Sequence, residues 1–175
     1  YELPFGPGKK LLSDAKGVAR HIVEGWSFGG VMNFYSGEPF TVGLATPTAN
    51  TGLGSRANRV SPCDIRLETR TPDRWFNTTC FSTPAQFTYG NAGLGILEGP
   101  GTKQLDWSLL KNFRMNEHRY VQFRTEFFNV FNTPQFNLPN STLGSPAYGR
   151  ISGAGIPVTF SRVSRQIQFG LKVLF

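Results

Sequence analysis

Only two of the 175 residues, His21 and His118, carry an imidazole, so side chains able to trade protons near neutral pH are scarce. Catalysis by acid–base or covalent chemistry needs a nucleophile, a base and a group that orients the base. His21 falls ahead of a strand pattern and His118 in a short turn between two others, which brings neither to such a group. Ser55, in Gly52-Leu53-Gly54-Ser55-Arg56, lacks the second glycine and the strand-to-helix setting of a nucleophile elbow. The glycines between 90 and 101 precede no Gly-Lys-Ser/Thr and no helical pattern, so they shape a loop or bulge rather than cradle a phosphate. Cys63 and Cys80 are the only cysteines and lie among Thr, Asn, Pro and Arg. In an oxidising compartment such a pair closes a loop. A metal site would have to recruit the distant histidines, and no ligand pair has the short spacing of zinc sites. The chain is expected to be no enzyme, to hold no cofactor or metal, and to carry a loop disulfide.

The elements that position these side chains are expected to be strands. Gly 20, Pro 12 and Phe 16 against 17% charged residues suit short strands, tight turns and loops better than helices. No apolar run approaches the roughly 20 residues of a transmembrane helix, whereas a membrane β-strand needs only about 9–11 with every second side chain apolar. A mean hydropathy of -0.24 is compatible with the second. The net charge of +7 is scattered. Its densest group, Arg56, Arg59, Arg66, Arg70 and Arg74, is interleaved with Asp64, Glu68 and Asp73, so a nucleic-acid partner is not expected.

A two-residue period is clearest at the carboxy terminus, where Ile167, Phe169, Leu171, Val173 and Phe175 alternate with Gln166, Gln168, Gly170, Lys172 and Leu174. Upstream, Val121, Phe123, Thr125 and Phe127 oppose Gln122, Arg124 and Glu126. Leu105, Trp107, Leu109, Phe113 and Met115 oppose Asp106, Ser108, Asn112 and Arg114, with Lys111 breaking the apolar face. Asn116-Glu117-His118 is short enough to be a hairpin turn. A fourth strand is expected over 26–45, with Trp26, Phe28, Met32 and Phe34 on one face and a bend at Pro39. Tyr1 to Phe5 look like the tail of an earlier strand.

Between these lie long stretches without a period, before Trp26, over 46–104 and over 133–164. Structureless loops of that length count against a compact soluble domain but are expected on the extracellular rim of an outer-membrane barrel. In such a barrel Arg114, Gln122, Arg124, Glu126, Gln168 and Lys172 would face the lumen. Trp107, Leu109, Val121, Phe123, Phe127, Ile167, Phe169, Leu171 and Val173 would face lipid. Trp26, Trp107, Tyr120 and Phe175, near strand ends, would form an aromatic girdle. Arg124 and Glu126 either line a solute path or belong to a structural ladder of lumen charges.

Gln168-Phe-Gly170-Leu-Lys-Val173-Leu-Phe175 resembles the terminal signal of outer-membrane proteins, which the barrel-assembly machinery reads. Phe127-Phe-Asn129-Val-Phe131-Asn132, Tyr148-Gly149-Arg150 and Arg165-Gln166 resemble the penultimate strand, loop and final strand of TonB-dependent transporters. Tyr1-Glu-Leu-Pro-Phe-Gly, Gly25-Trp26, Ser36-Gly37-Glu-Pro-Phe40, Trp75-Phe76-Asn77, Gly90-Asn91-Ala92-Gly93, Gly99-Pro100-Gly101 and Lys111-Asn112-Phe113 are similar, in order, to the Oar-like subgroup, which has a carboxypeptidase-regulatory-like domain.

The resemblance implies an antiparallel transmembrane β-barrel of about 22 strands with an amino-terminal plug. Its partners would be outer-membrane lipid, the assembly machinery and the TonB complex. Here there is no plug, no TonB box and no secretion signal, and about four full strands cannot close a barrel that needs about eight. The chain is therefore expected to be the carboxy-terminal part of one barrel domain, with strands near 26–45, 105–115, 119–132 and 164–175. The last strand would descend to the periplasm, which puts the tight turn on that side and the long loops outside. Solute import is the function this implies; a surface or adhesion protein on the same barrel, an oligomeric pore and a soluble β-sandwich enzyme are the alternatives.

Overall fold

The computed structural model describes residues 1–175 apart from 53, 117–118 and 156–163. Glu117 and His118 of the expected turn, and part of the long connection over 133–164, thus lie outside the described residues. The described chain forms ten strands: β1 Trp26–Tyr35, β2 Pro39–Phe40, β3 Gly43–Leu44, β4 Asn58–Arg59, β5 Phe81–Ser82, β6 Leu97–Glu98, β7 Thr102–Arg114, β8 Tyr120–Phe128, β9 Thr142–Leu143 and β10 Gln166–Leu174. One short helix, α1 (Gly17–Val23), and a single 3-10 turn at Thr78–Cys80 are its departures from an all-β chain.

Two compact units result, one of Tyr1–Asn33, Lys103–Thr133 and Arg162–Phe175, the other of Phe34–Thr102 and Pro134–Ser161. The first holds a sheet in the order β1-β7-β8-β10. β8 pairs antiparallel with both neighbours, placing Trp107, Phe127 and Ile167 in one row and Phe113, Val121 and Val173 in another. Gly25 lies against Asn112 and Gly30 against Asp106 and Trp107, so β1 also runs antiparallel to β7. Beyond β1, Glu2 bridges Ser27, and the Leu3 amide donates to the Trp26 carbonyl at 2.9 Å. The expected early strand is thus a brief pairing centred on Glu2.

Strand ends differ from the periodic estimate for local reasons. β1 stops at Tyr35 instead of running to 45, because Pro39 and Phe40 pair with Glu98 and Leu97 in a separate sheet. β8 stops at Phe128 instead of 132, because Asn129 turns the backbone to φ 50°. β7 begins at Thr102, which leaves Trp107 inside the strand rather than near its end.

The connection lengths also need correction. Gly25 sits beside Asn112, close to where β7 enters its tight turn, so the long connection before Trp26 lies at the short-turn end of the sheet. It is folded in part: the Gly6 amide donates to Leu11 and the Leu11 amide to Pro4, at 2.9 and 2.8 Å, and α1 follows.

Where long loops are expected, the second unit has a core of its own, made of Phe40, Val42, Ala57, Ile65, Phe76, Cys80, Phe81, Ala92 and Leu97. Phe76 is its centre, edge-on to Phe40, Phe81 and Tyr148 at 5.7, 6.0 and 5.3 Å between ring centroids. Three two-stranded sheets frame it: β2–β6 and β4–β5 antiparallel, β3–β9 parallel. Gly90 is required there, since a Cβ would run into the carbonyls of Arg56 and Ala57.

Candidate functional site

The sheet of the first unit has two chemically distinct faces, because side chains opposite one another across a ladder project to the same side. Trp107, Leu109, Phe113, Val121, Phe123, Phe127, Ile167, Phe169, Leu171 and Val173 all fall on one of them. This face is largely uncovered: Phe169 is 68% exposed, Leu171 70% and Val173 56%. Phe123 and Phe169 stack at 6.1 Å, and Phe28 meets Trp107 edge-on at 5.7 Å. A shallow cavity of about 420 Å³ opens among Phe28, Trp107, Leu109, Phe127, Val130, Ile167 and Arg165.

The other face carries Asn112, Gln122 and Lys172 in one row and Ser108, Glu126 and Gln168 in another, with Arg114 opposite Tyr120. Gln122 donates to the Asn112 side chain at 2.9 Å, and Arg124 lies 3.6 Å from Glu126. The six polar residues singled out in the sequence thus share the polar parity of the sheet, and the nine apolar ones share the opposite parity.

Lys111 is the exception that the alternation flagged, and the structure resolves it. Its side chain belongs to the apolar face, yet the residue is 2% exposed. Its ammonium donates to the carbonyls of Ile22, at 3.1 Å, and Glu24, and lies 5.2 and 5.0 Å from the ring centroids of Trp26 and Phe113. A buried cation needs such partners. The end of α1 supplies them, so Lys111 does not interrupt the face with an open charge. Trp26 adds an indole N–H to the Ile22 carbonyl at 2.8 Å. Arg20 donates to Glu24 at 2.9 Å, which holds the Glu24 carboxyl below the ordinary glutamate range.

The Phe127–Asn132 motif acts as a latch at the other end of the sheet. Asn129 donates through its backbone to the Asp106 carboxylate at 2.8 Å, and its side chain exchanges hydrogen bonds with the Thr133 backbone at 3.0 Å. Asn132 accepts from the Arg165 amide at 3.0 Å, one residue before β10 begins. The two asparagines thereby tie the exit of β8 to β7 and β10. Asp106, which also accepts from Gln104, was legible only as one polar position among several.

Of the residues that resemble a terminal assembly signal, Gln168, Gly170 and Val173 lie within β10 and Phe175 follows it, 95% exposed. The structure bonds Cys63 to Cys80, with Cα atoms 5.5 Å apart. Cys80 is fully buried in the second core. Among the described residues no cluster of three or more His, Cys, Asp or Glu could hold a metal, and no helix is long and apolar enough to cross a membrane.

A family model described as "Outer membrane beta barrel domain" matches residues 1–168. The chain belongs to that family. The match makes this a protein of the bacterial outer membrane, and the antiparallel, two-faced sheet is the kind of element such a barrel domain is built from. Neither the curated proteins nor the solved structures include a match to the chain.

Proposed function

We propose that this barrel domain forms the carboxy-terminal strands of a TonB-dependent, Oar-like receptor that imports a solute across the outer membrane. The observation that carries the reading is the folded state of its long connections. Loops that only bordered a passive pore need no core, whereas here two separate stretches, Phe34–Thr102 and Pro134–Ser161, build one unit with buried aromatics and a disulfide. A pre-formed surface is what first contact with a ligand requires, because ordering a loose loop on binding costs affinity. The collinear motifs from Tyr1 to Gln166 support the same subgroup.

In this reading the apolar face meets lipid, the polar face with Arg124 and Glu126 meets a wet lumen, and no residue performs catalysis. Among the described residues β10 lies at an edge of the sheet, and four strands fall short of the about eight that close a small barrel. Further strands must therefore come from the same protein or from other copies. Reading the coding region upstream of Tyr1 tests this. A plug, a TonB box and further alternating strands are expected; an initiator codon immediately upstream, with crosslinked trimers of the chain in membranes, would replace the receptor by an oligomeric pore. Further barrel strands without a TonB box would instead favour the surface or adhesion protein.

A further inference from the structure

We infer that the segment 9–22, ending in α1, is an interfacial anchor that rests on the anionic phospholipid of the periplasmic leaflet. The inference rests on the barrel reading above and adds a lipid contact that the barrel itself does not require.

α1 has seven residues and none of them is buried. A helix that short is marginal in water even with good helix formers, so something besides propensity must hold it. Its carboxy-terminal end is pinned: Lys111 and Trp26 of the sheet donate to its last carbonyls, and a cation there also complements the helix dipole. Lys111 belongs to the apolar face, so the pin sets the end of α1 on the side of the sheet that meets lipid. The position along the strand is equally specific, near the tight turn that follows Arg114 and is periplasmic when the last strand descends.

The exposed side chains of the segment have the composition of a membrane-surface element. Val18 and Ile22, one helical turn apart, are 76% and 61% exposed, and Leu11 and Leu12 are 51% and 59% exposed. Among them stand the exposed bases Lys9, Lys10, Lys16 and Arg20, against a single acid, Asp14. Apolar side chains dipping into the acyl boundary with lysines beside the phosphates are the chemistry of an interfacial segment. Lys9 and Arg20 are in addition paired with Glu2 and Glu24, which leaves Lys10 and Lys16 as the bases best placed for phosphate.

The test uses the whole outer-membrane protein in vesicles, with the native disulfide oxidised and a bimane placed through Val18→Cys or, as a control on the apolar face, Leu171→Cys. Doxyl-labelled phospholipid should quench both. Adding phosphatidylglycerol to phosphatidylcholine should raise the quenching at Val18 but not at Leu171, and salt should reverse the gain. Lys10→Gln and Lys16→Gln should each lower the lipid partition of the segment about fivefold. Quenching at Leu171 without quenching at Val18 would overturn the anchor and leave the barrel reading standing. Absence of quenching at both would remove the lipid-facing assignment and the anchor with it. Quenching at Val18 that ignores phosphatidylglycerol, salt and both lysines would overturn the phospholipid assignment.

Discussion

Gly170 shows how packing and recognition can be separated at a single residue. It lies in β10 opposite Arg124, and a methyl group there would meet only the Arg124 Cβ, at 3.9 Å, an ordinary contact. Nothing in the sheet requires a glycine, and replacing one in a strand by alanine removes a backbone-entropy cost of about 0.5–1 kcal/mol. Gly170→Ala should therefore leave the unfolding free energy of the assembled barrel equal or slightly higher while slowing assembly, as followed by the appearance of the folded, heat-modifiable form. An unchanged assembly rate would take Gly170 out of the terminal signal. Its neighbours test the faces: Leu171→Arg should destabilise the inserted barrel by about 2–4 kcal/mol, because a guanidinium at lipid depth is poorly solvated, and Gln168→Arg should be tolerated. Equal losses would sink the assignment. Tyr148 belongs to the second unit, where its hydroxyl is buried without a hydrogen-bond partner among the described residues and burial raises its pKa. Tyr148→Phe should be neutral or up to about 1 kcal/mol stabilising in thermal unfolding.

At the scale of elements, alternation exposed the long strands because each has one apolar and one polar face and therefore repeats every two residues. It overran them where a single side chain ends the ladder. Asn129 is the instance: its positive φ and its bonds to Thr133 close β8 four residues before the apolar period fades at Asn132. Asn129→Ala should lower stability by about 1–3 kcal/mol, read by denaturant titration, since two hydrogen bonds to the half-buried Thr133 backbone are lost and alanine is strained at that positive φ. A shift of less than a few tenths would mean that Asp106 and Asn132 hold the latch without it. The second core was not legible, because Phe40, Ile65, Phe76 and Leu97 are isolated in sequence and converge only through long-range pairing such as Phe40 with Leu97. The local signals were the cysteines and the short motifs that hold Phe40, Phe76 and Ala92, none of which says that these residues meet. The loop the cysteines close, with a sequence separation of 17, should contribute about 3 kcal/mol in the chain-entropy model, which Cys63→Ser with Cys80→Ser would remove from the second unit. Membrane insertion should survive that change, because neither cysteine belongs to the β1-β7-β8-β10 sheet.

For the molecule as a whole the open edges of the sheet set the constraint. Among the described residues, β10 has β8 on one side and no strand on the other, and beyond β1 a brief pairing with Tyr1–Leu3 follows. In hydrocarbon every backbone amide and carbonyl left without a partner costs several kcal/mol, so an open sheet of this width cannot cross a bilayer alone. In water the same edge would template pairing with further chains. Residues 1–175 expressed by themselves are therefore expected to aggregate or to assemble as higher oligomers in detergent, and to give no protease-resistant, heat-modifiable monomer. If the receptor reading holds, supplying the strands encoded upstream of Tyr1 as a separate chain should restore a monomeric barrel in which β10 becomes protected from hydrogen exchange. A stable, inserted monomer of the 175 residues alone would show that the edges are covered within the chain, and would remove the need for a larger barrel. A discrete trimer that conducts ions would instead assign the closing strands to other copies.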